Sequence, residues 1–358
     1  MTLKTKNTRR RRSRLERRIG AGVFLLAVAM VWFMGWKLFR GVQGVSVSGP
    51  GENQSNIVQT SQPTDAPFSD PSRYPIAVMI DNSPEARPHH AGMSEAAVVY
   101  EALVEGGATR FMALFSGAPD VERVGPIRSA RPYFVETVAG WSGFYWHGGG
   151  SPEGLALIPK TDITDLNEIS GLGVLYFWRD NDISRPHNLF TSGNLMSLGL
   201  DDFDLTSLPE EKLQWQWNLD PEIDGDPAKH IYIDFSEGVL FDASFDYDPD
   251  TKTYMRSMGG MVHNDANTGE QLAPRSIIVQ HVPAEGYYPS GYGRIIIDMA
   301  GEGDATLFAN GVARDIRWKK KDVNSQTEWL DSEGSSVVLP IGQVWVDILP
   351  GDRVASYE

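Results

Sequence analysis

The 358-residue sequence contains no cysteine. That one absence excludes disulfides, thiolate nucleophiles, thiolate metal sites and acylation at a lipobox cysteine. Metal-ligand spacings are missing too: there is no H-E-x-x-H run, and His89, His90, His147 and His187 with Asp81 form no ligand pattern. Adjacent His89 and His90 would point apart on extended chain. No nucleophile elbow surrounds Ser129 or Ser151, and the chain has no internal repeat. No metal and no cofactor are expected.

Positive charge is scarce after the start. Residues 1–40 hold 11 Lys and Arg against one acid, whereas residues 41–358 hold 21 against 46, a net −25. Such a portion binds nucleic acid poorly, and any anionic ligand it takes needs a local basic pocket.

The early basic excess precedes an apolar run. Nine Lys and Arg lie ahead of residues 19–36, which carry no charge. At a rise of ~1.5 Å per residue the run spans about 27 Å, close to the hydrocarbon thickness of a bilayer. Trp32, Trp36 and Phe39 suit the interface, and Lys37 and Arg40 can snorkel. The expectation is a basic cytoplasmic tail (1–18), a signal anchor in the cell membrane (19–39) and an exported remainder. The competing reading is a cleaved signal peptide at Ala27-Val28-Ala29, but that triplet lies inside the run. Residues 40–73, rich in Gly, Ser, Gln and Pro, read as a disordered stalk reaching roughly 30 Å.

Residues 74–200 mix helix and strand signals. The run 75–80 reads as a strand buried on both faces and ending at Asp81-Asn82. Residues 98–105 and 109–116 flank Gly106-Gly107, a two-residue hairpin signal that pairs Leu103 with Arg110 and Ala102 with Phe111. Tyr100, Ala102, Val104, Phe111, Ala113 and Phe115 then share a core face, and Glu101, Leu103, Glu105, Arg110 and Met112 the other. Ser129 is placed as the cap of a helix to about Ala139, and Ser151-Pro152-Glu153 starts another. Strands are expected at 141–146, ending at His147, and at 174–178, ending at Arg179-Asp180. Residues 201–229 read as a connector. Residues 230–358 read as an antiparallel β domain, with Asn310-Gly311 a strong hairpin turn and Glu333-Gly334 a weaker one. The fold class is α+β: a mixed α/β first half and an antiparallel β-rich second half in one compact layered ectodomain, behind a single N-terminal transmembrane helix.

The chemistry-bearing residues gather in the first half. Asp81, Asn82, His147, Arg179 and Asp180 close predicted strands, and ligands collect at the carboxyl ends of strands in α/β sheets. Arg123, Arg128 and Arg131 bracket Gly125-Pro126, and Arg185, His187 and Asn188 follow Arg179. With Arg110, Ser129 and the helix start from Gly148 through Gly149 to Ser151, they make a candidate pocket for carboxylate or phosphate. The alternative is that these arginines neutralise neighbouring acids. Glu101 and Glu105 suggest a carboxylate pair, but four strand residues separate their Cα atoms by about 13 Å, and a salt-bridge cluster around Arg110 fits better. Trp318, Trp329 and Trp345 read as core rather than sugar platforms.

These motifs together resemble the YerB-like family of bacterial extracytoplasmic proteins. PIAVMIDNSPEARPHHAGMSEAAVVYEALVEGGATRF (75–111), VGPIRSARPYF (124–134), HGGGSPE (147–153), RPHNLFTS (185–192) and GQVWVDILP (342–350) carry the resemblance. It implies an α+β protein in which both halves build one unit. Many relatives look like lipoproteins, whereas this chain lacks the cysteine. The resemblance supplies no reaction. Two functional classes follow: an envelope protein binding an anionic cell-wall component or partner protein, or a cell-wall-polymer hydrolase or transferase using Asp81, His147 and Glu101.

Overall fold

Strand β1 (Pro75–Asp81) is buried at every position, which requires cover on both sheet faces. Residues 63–208, 215–287, 292–351 and 353–358 are described by a computed structural model. The expected tail, membrane anchor and most of the stalk lie outside the described residues. Among the described residues, no helix is long and apolar enough to cross a membrane.

In the first half, β1 is followed by β2 (Val98–Leu103), β3 (Thr109–Ser116), β4 (Phe144–His147), β5 (Thr164–Asn167), β6 (Trp178–Arg179) and β7 (Leu189–Phe190). Helices α1 (Pro132–Gly140), α2 (Pro152–Leu157) and α3 (Gly193–Asp202) lie between and after them. Then come β8 (Gln216–Asn218), β9 (Asp226–Pro227), β10 (His230–Ile233), β11 (Ala243–Asp248), β12 (Thr253–Met258), β13 (Met261–Val262) and β14 (Ser276–Val282). The chain finishes with β15 (Ala284–Tyr287), β16 (Ile295–Ile297), β17 (Gly301–Ala309), β18 (Val312–Lys320), β19 (Glu328–Leu330), β20 (Val338–Pro340), β21 (Val344–Pro350) and β22 (Ala355–Tyr357).

One large mixed sheet runs β19-β18-β17-β14-β21-β2-β3-β1-β4-β5, with β9 pairing β18. Its centre decides the architecture. Strand β21 lies parallel to both β14 and β2, so a strand near the C-terminus is stitched into the first half from Val98↔Val344 to Ala102↔Ile348. The second half is therefore not purely antiparallel. A second sheet, β13-β12-β11-β10-β22, alternates buried and half-buried residues along β12 and so has one packed face. One core holds Val78, Ile80, Phe111 and Trp345 with Ile231, Phe245 and Tyr254 of the second sheet. The other holds Ala77, Met79, Met112 and Val346 with Tyr133, Phe134 and Val138 of α1.

Several local expectations shift. The β2–β3 connection is a short 3-10 turn over Glu105–Gly107, not a two-residue loop. The register becomes Ala102↔Arg110 and Glu101↔Phe111, one residue from the predicted pairing. A one-residue slip changes which side chains share a face: Tyr100, Ala102 and Met112 lie in one core, Leu103, Phe111 and Ala113 in the other. Arg131, not Ser129, occupies the N-cap of α1, whereas Ser151 caps α2 as expected, accepting from the Gly154 N–H. The predicted strand at 174–178 is a 3-10 turn followed by the two-residue β6. The connector contributes β8 and β9 and buries Trp215 and Trp217. The stalk also ends earlier than expected, because Phe68 is buried 4.6 Å, centroid to centroid, from Trp141. Asn310 and Gly311 form the β17–β18 turn with φ of 53° and 79°. Trp318, Trp329 and Trp345 are buried.

Candidate functional site

Parallel pairing brings strand ends together. Strands β1, β4 and β5 run in the same direction side by side, so Asp81, His147 and Asn167 finish at one end of the sheet. Segment 124–131 wedges in there: the Asp81 N–H donates to the Pro126 carbonyl at 2.8 Å, and the Gly148 N–H to the Arg128 carbonyl at 3.0 Å. Gly125 allows the approach, since a Cβ there would sit 2.8 Å from the Leu189 carbonyl oxygen. The Gly125–Pro126 and Arg185–Pro186 peptide bonds are cis.

Asp81 is the hub. Its Oδ2 lies 3.0 Å from Arg128 Nε and 2.7 Å from His187 Nδ1, and its Oδ1 accepts the Ser83 N–H at 3.1 Å. Burial alone would raise this carboxyl, but Arg128, the His187 bond, the Ser83 amide and Arg110 outweigh it and hold the acid below its ordinary value. Ser83 Oγ also reaches His187 Nδ1, at 2.9 Å. Ser83 and Asp81 thus share one ring nitrogen, so the three do not form a Ser-His-Asp relay, which uses both nitrogens. His187 Nε2 and the Arg128 Nη groups have no partner among the described residues, and both side chains are partly exposed.

The other expected site residues arrange around this hub. Arg110 is buried and donates to the Ser129 carbonyl at 2.8 Å; burial, then Arg131 beside it, lowers its pKa to about 10. Ser129 Oγ donates to the Gly148 carbonyl, and Gly149 N–H to Asn167 Oδ1 at 2.9 Å. His147 is fully buried, its Nδ1 facing the Gly149 carbonyl at 2.6 Å and its Nε2 facing Asp165 Oδ1 at 2.7 Å. Arg179 donates to Asn188 Oδ1 and Glu168 Oε1, Asn188 Nδ2 donates to the Asp180 carbonyl, and Asp180 pairs with Arg123 at 3.3 Å. Arg185 is exposed. Arg131 pairs with Glu105 at 2.6 Å.

Arg128 and His187 therefore meet on one carboxylate, whereas Arg131 and Arg179 are each engaged by another acid. The expected cluster of Glu101 and Glu105 around Arg110 is replaced. Glu105 joins Arg131 and Arg294, and Glu101 turns into the space between the sheets.

That interior holds what sequence reasoning missed. Arg256 of β12 is fully buried and donates through Nη2 to Glu101 Oε2 at 2.6 Å. Thr109 Oγ1 donates to Glu101 Oε1 at 2.5 Å, and Asn82 Nδ2 approaches the same oxygen at 3.3 Å. Trp345 lies 4.6 Å under the guanidinium. Arg256 Nη1 also donates to His263 Nδ1, His263 Nε2 meets His90 Nδ1 at 2.7 Å, and His90 Nε2 meets the Asp81 carbonyl at 2.6 Å. A carbonyl can only accept, so His90 carries its proton on Nε2 and His263 likewise, both neutral. Burial lowers the pKa of His90 to about 4 and that of His263 well below its ordinary value. Asp347, paired across the strands with Glu101, is fully buried; burial first, then Glu101, pushes it far up, so it keeps its proton. Arg256 sits at a core-facing position between Tyr254 and Met258, and Asp347 interrupts an apolar strand. Those two interruptions were the available signals.

Residues 63–206 match the N-terminal domain, and residues 231–346 the C-terminal domain, of a family described as protein of unknown function DUF3048. The chain belongs to the DUF3048 family. Within it, the "Putative lipoprotein YerB" of Bacillus subtilis (strain 168) is 32% identical over 290 residues, covering 79% of this chain and 83% of that protein. The crystal structure of Bacillus subtilis YerB superposes with a TM-score of 0.68 at 28% identity, covering 80% of this chain and 94% of that one. The YerB-like resemblance read from the sequence motifs is thereby shown. Asp81, Arg128 and His187 fall in the N-terminal DUF3048 domain and Arg256 in the C-terminal one, so the Glu101–Arg256 pair ties the two together.

Proposed function

We propose that this DUF3048 protein is an extracytoplasmic envelope protein that binds an anionic group of a cell-wall component or partner protein at the Asp81–Arg128–His187 hub. The carrying observation is the division of labour around Asp81. It holds Arg128 through Nε and His187 through Nδ1, and leaves the Arg128 Nη fork and His187 Nε2 available to an oxyanion. The basic segment and apolar run at 1–36, and the lipoprotein name of the Bacillus subtilis relative, support a position outside the cytoplasm, with residues 19–39 in the cell membrane. The finer division, with a stalk before residue 63 and two family domains behind it, belongs to the same reading.

The hydrolase or transferase reading has less support. Asp81 and His147 have different partners, and Glu101 is fully buried between the sheets, out of reach of a polymer.

The test is calorimetric titration of the full chain with muropeptides, teichoic-acid fragments and inorganic phosphate. Arg128→Lys keeps the charge but loses the fork, and should weaken binding roughly ten- to hundredfold, equivalent to about 1.5–3 kcal/mol. No binding by wild type, or equal binding by both proteins, rejects the site.

A further inference from the structure

Three hydrogen bonds run in one direction from the C-terminal domain to the backbone of the hub. Arg256 Nη1 donates to His263 Nδ1, His263 Nε2 donates to His90 Nδ1 at 2.7 Å, and His90 Nε2 donates to the Asp81 carbonyl at 2.6 Å. The direction is the same read from either end, since a guanidinium cannot accept and a carbonyl cannot donate. Arg256, His90 and His263 are all buried, so each bond lies away from solvent.

The last bond lands on the residue whose side chain organises the site. The Asp81 backbone is held on both sides, its N–H by the Pro126 carbonyl at 2.8 Å and its C=O by His90. From that fixed backbone the carboxylate reaches Arg128 at 3.0 Å and His187 at 2.7 Å. The rest of segment 263–267 grips the same region. Asp265, fully buried, accepts the Gly92 N–H at 3.1 Å and the Ser94 N–H at 3.0 Å, and the Ala266 N–H donates to the His90 carbonyl at 2.6 Å. These contacts fix the chain that carries His90. Asn267 Nδ2 donates to the Arg123 carbonyl at 2.9 Å, directly before the segment 124–131 that brings Arg128 to the hub.

We propose that segment 263–267 of the C-terminal domain positions the anion hub: His263, through His90, fixes the Asp81 backbone, and Asn267 fixes the start of the Arg128 segment. His90, His263 and Asn267 are positioning residues that touch no ligand. The proposal rests on the anion-binding reading of the hub for its consequence, though not for its geometry. A joint that merely holds two domains together has no need of a bond to the Asp81 carbonyl.

The test compares His90→Gln with His90→Met in the full chain. The two side chains are similar in size, but only glutamine can still donate to the Asp81 carbonyl. Crystal structures of both variants read the hub without any ligand. In His90→Met the Asp81 carboxylate should leave hydrogen-bonding range of His187 Nδ1, and in His90→Gln it should stay. Calorimetric titration with inorganic phosphate should follow the geometry, with affinity roughly tenfold lower in His90→Met and within about twofold of wild type in His90→Gln. Asn267 is exposed, so Asn267→Ala leaves the core intact and keeps the test open should His90→Met fail to fold. It should lengthen the Arg128–Asp81 contact. An unchanged Asp81–His187 contact in His90→Met, equal displacement in both His90 variants, or an unchanged Arg128–Asp81 contact in Asn267→Ala overturns the proposal. If wild type binds no phosphate, the anion reading fails, while the three crystal structures still decide the positioning.

Discussion

Arg256 is fully buried, and its charge is tolerated because Glu101 lies 2.6 Å away while Asp347 stays protonated. Removing one partner strands the other in a dry interior, whereas removing both leaves an apolar gap that can repack. Arg256→Met should therefore destabilise the protein by about 3–5 kcal/mol, and Arg256→Met with Glu101→Leu by distinctly less. Urea denaturation of the three proteins measures this, and an additive double variant would contradict the pairing. His90 gives the same network a pH signature. Its folded pKa of about 4 lies below the ordinary 6.5, so the unfolded chain takes up a proton first as pH falls. The contribution of His90 to stability should thus be full above about pH 6.5 and be lost towards pH 4, a loss that the difference between wild type and His90→Gln should show. Glu101 and Asp347 were legible as acids inside apolar strands. The pairing of Glu101 with Arg256 was not, because the two lie 155 positions apart and only the packing of two sheets joins them.

Elements were easier to find than their registers. Strand β1 was visible as an apolar run, and the β17–β18 turn from Asn310-Gly311, because these signals are local. The β2–β3 pairing slipped by one residue because Gly106-Gly107 sits inside a longer turn, and nothing local distinguishes the two loops. The β17–β18 turn offers a sharp test. Gly311 has φ of 79°, and a Cβ there would meet the Tyr247 ring at 2.8 Å. Gly311→Ala should cost about 1–3 kcal/mol; an unchanged thermal midpoint would mean the turn is not built this way. Helix α1 carries a second test in Glu136, whose pKa is raised to about 7 by burial, opposed by Lys320 and assisted by Asp298. The folded form holds this proton while the unfolded chain loses it near 4.5, so the contribution of Glu136 to stability is lost as pH rises between those values. Glu136→Gln should match wild type below pH 4.5 and exceed it above pH 7, by up to about 3 kcal/mol.

The shared sheet makes the two halves one folding unit. With β21 between β14 and β2, and Arg256 locked to Glu101, neither half retains a complete core alone. The full chain should unfold in one cooperative transition by calorimetry, and residues 63–208 expressed alone should not fold; two separated transitions would contradict this. A chain starting at 71 should melt below one starting at 63, because it loses the Phe68 contact with Trp141. This integration was only partly legible. Trp345 was read correctly as core, but the parallel insertion of its strand beside residues 98–102 is a long-range fact that composition and periodicity do not encode. The same holds at the site: the strand-end residues Asp81 and His147 were recognisable, whereas the choice of His187 rather than His147 as the partner of Asp81 is set by how segment 124–131 wedges between strands.

Anion binding at the Asp81 hub is tested most directly by crystals of the full chain soaked in selenate, whose anomalous signal marks an oxyanion unambiguously. A selenate peak within hydrogen-bonding distance of both the Arg128 Nη groups and His187 Nε2, lost in Arg128→Lys crystals, is the predicted result. Selenate bound only elsewhere, or a peak at the hub that persists unchanged in Arg128→Lys, would contradict the account.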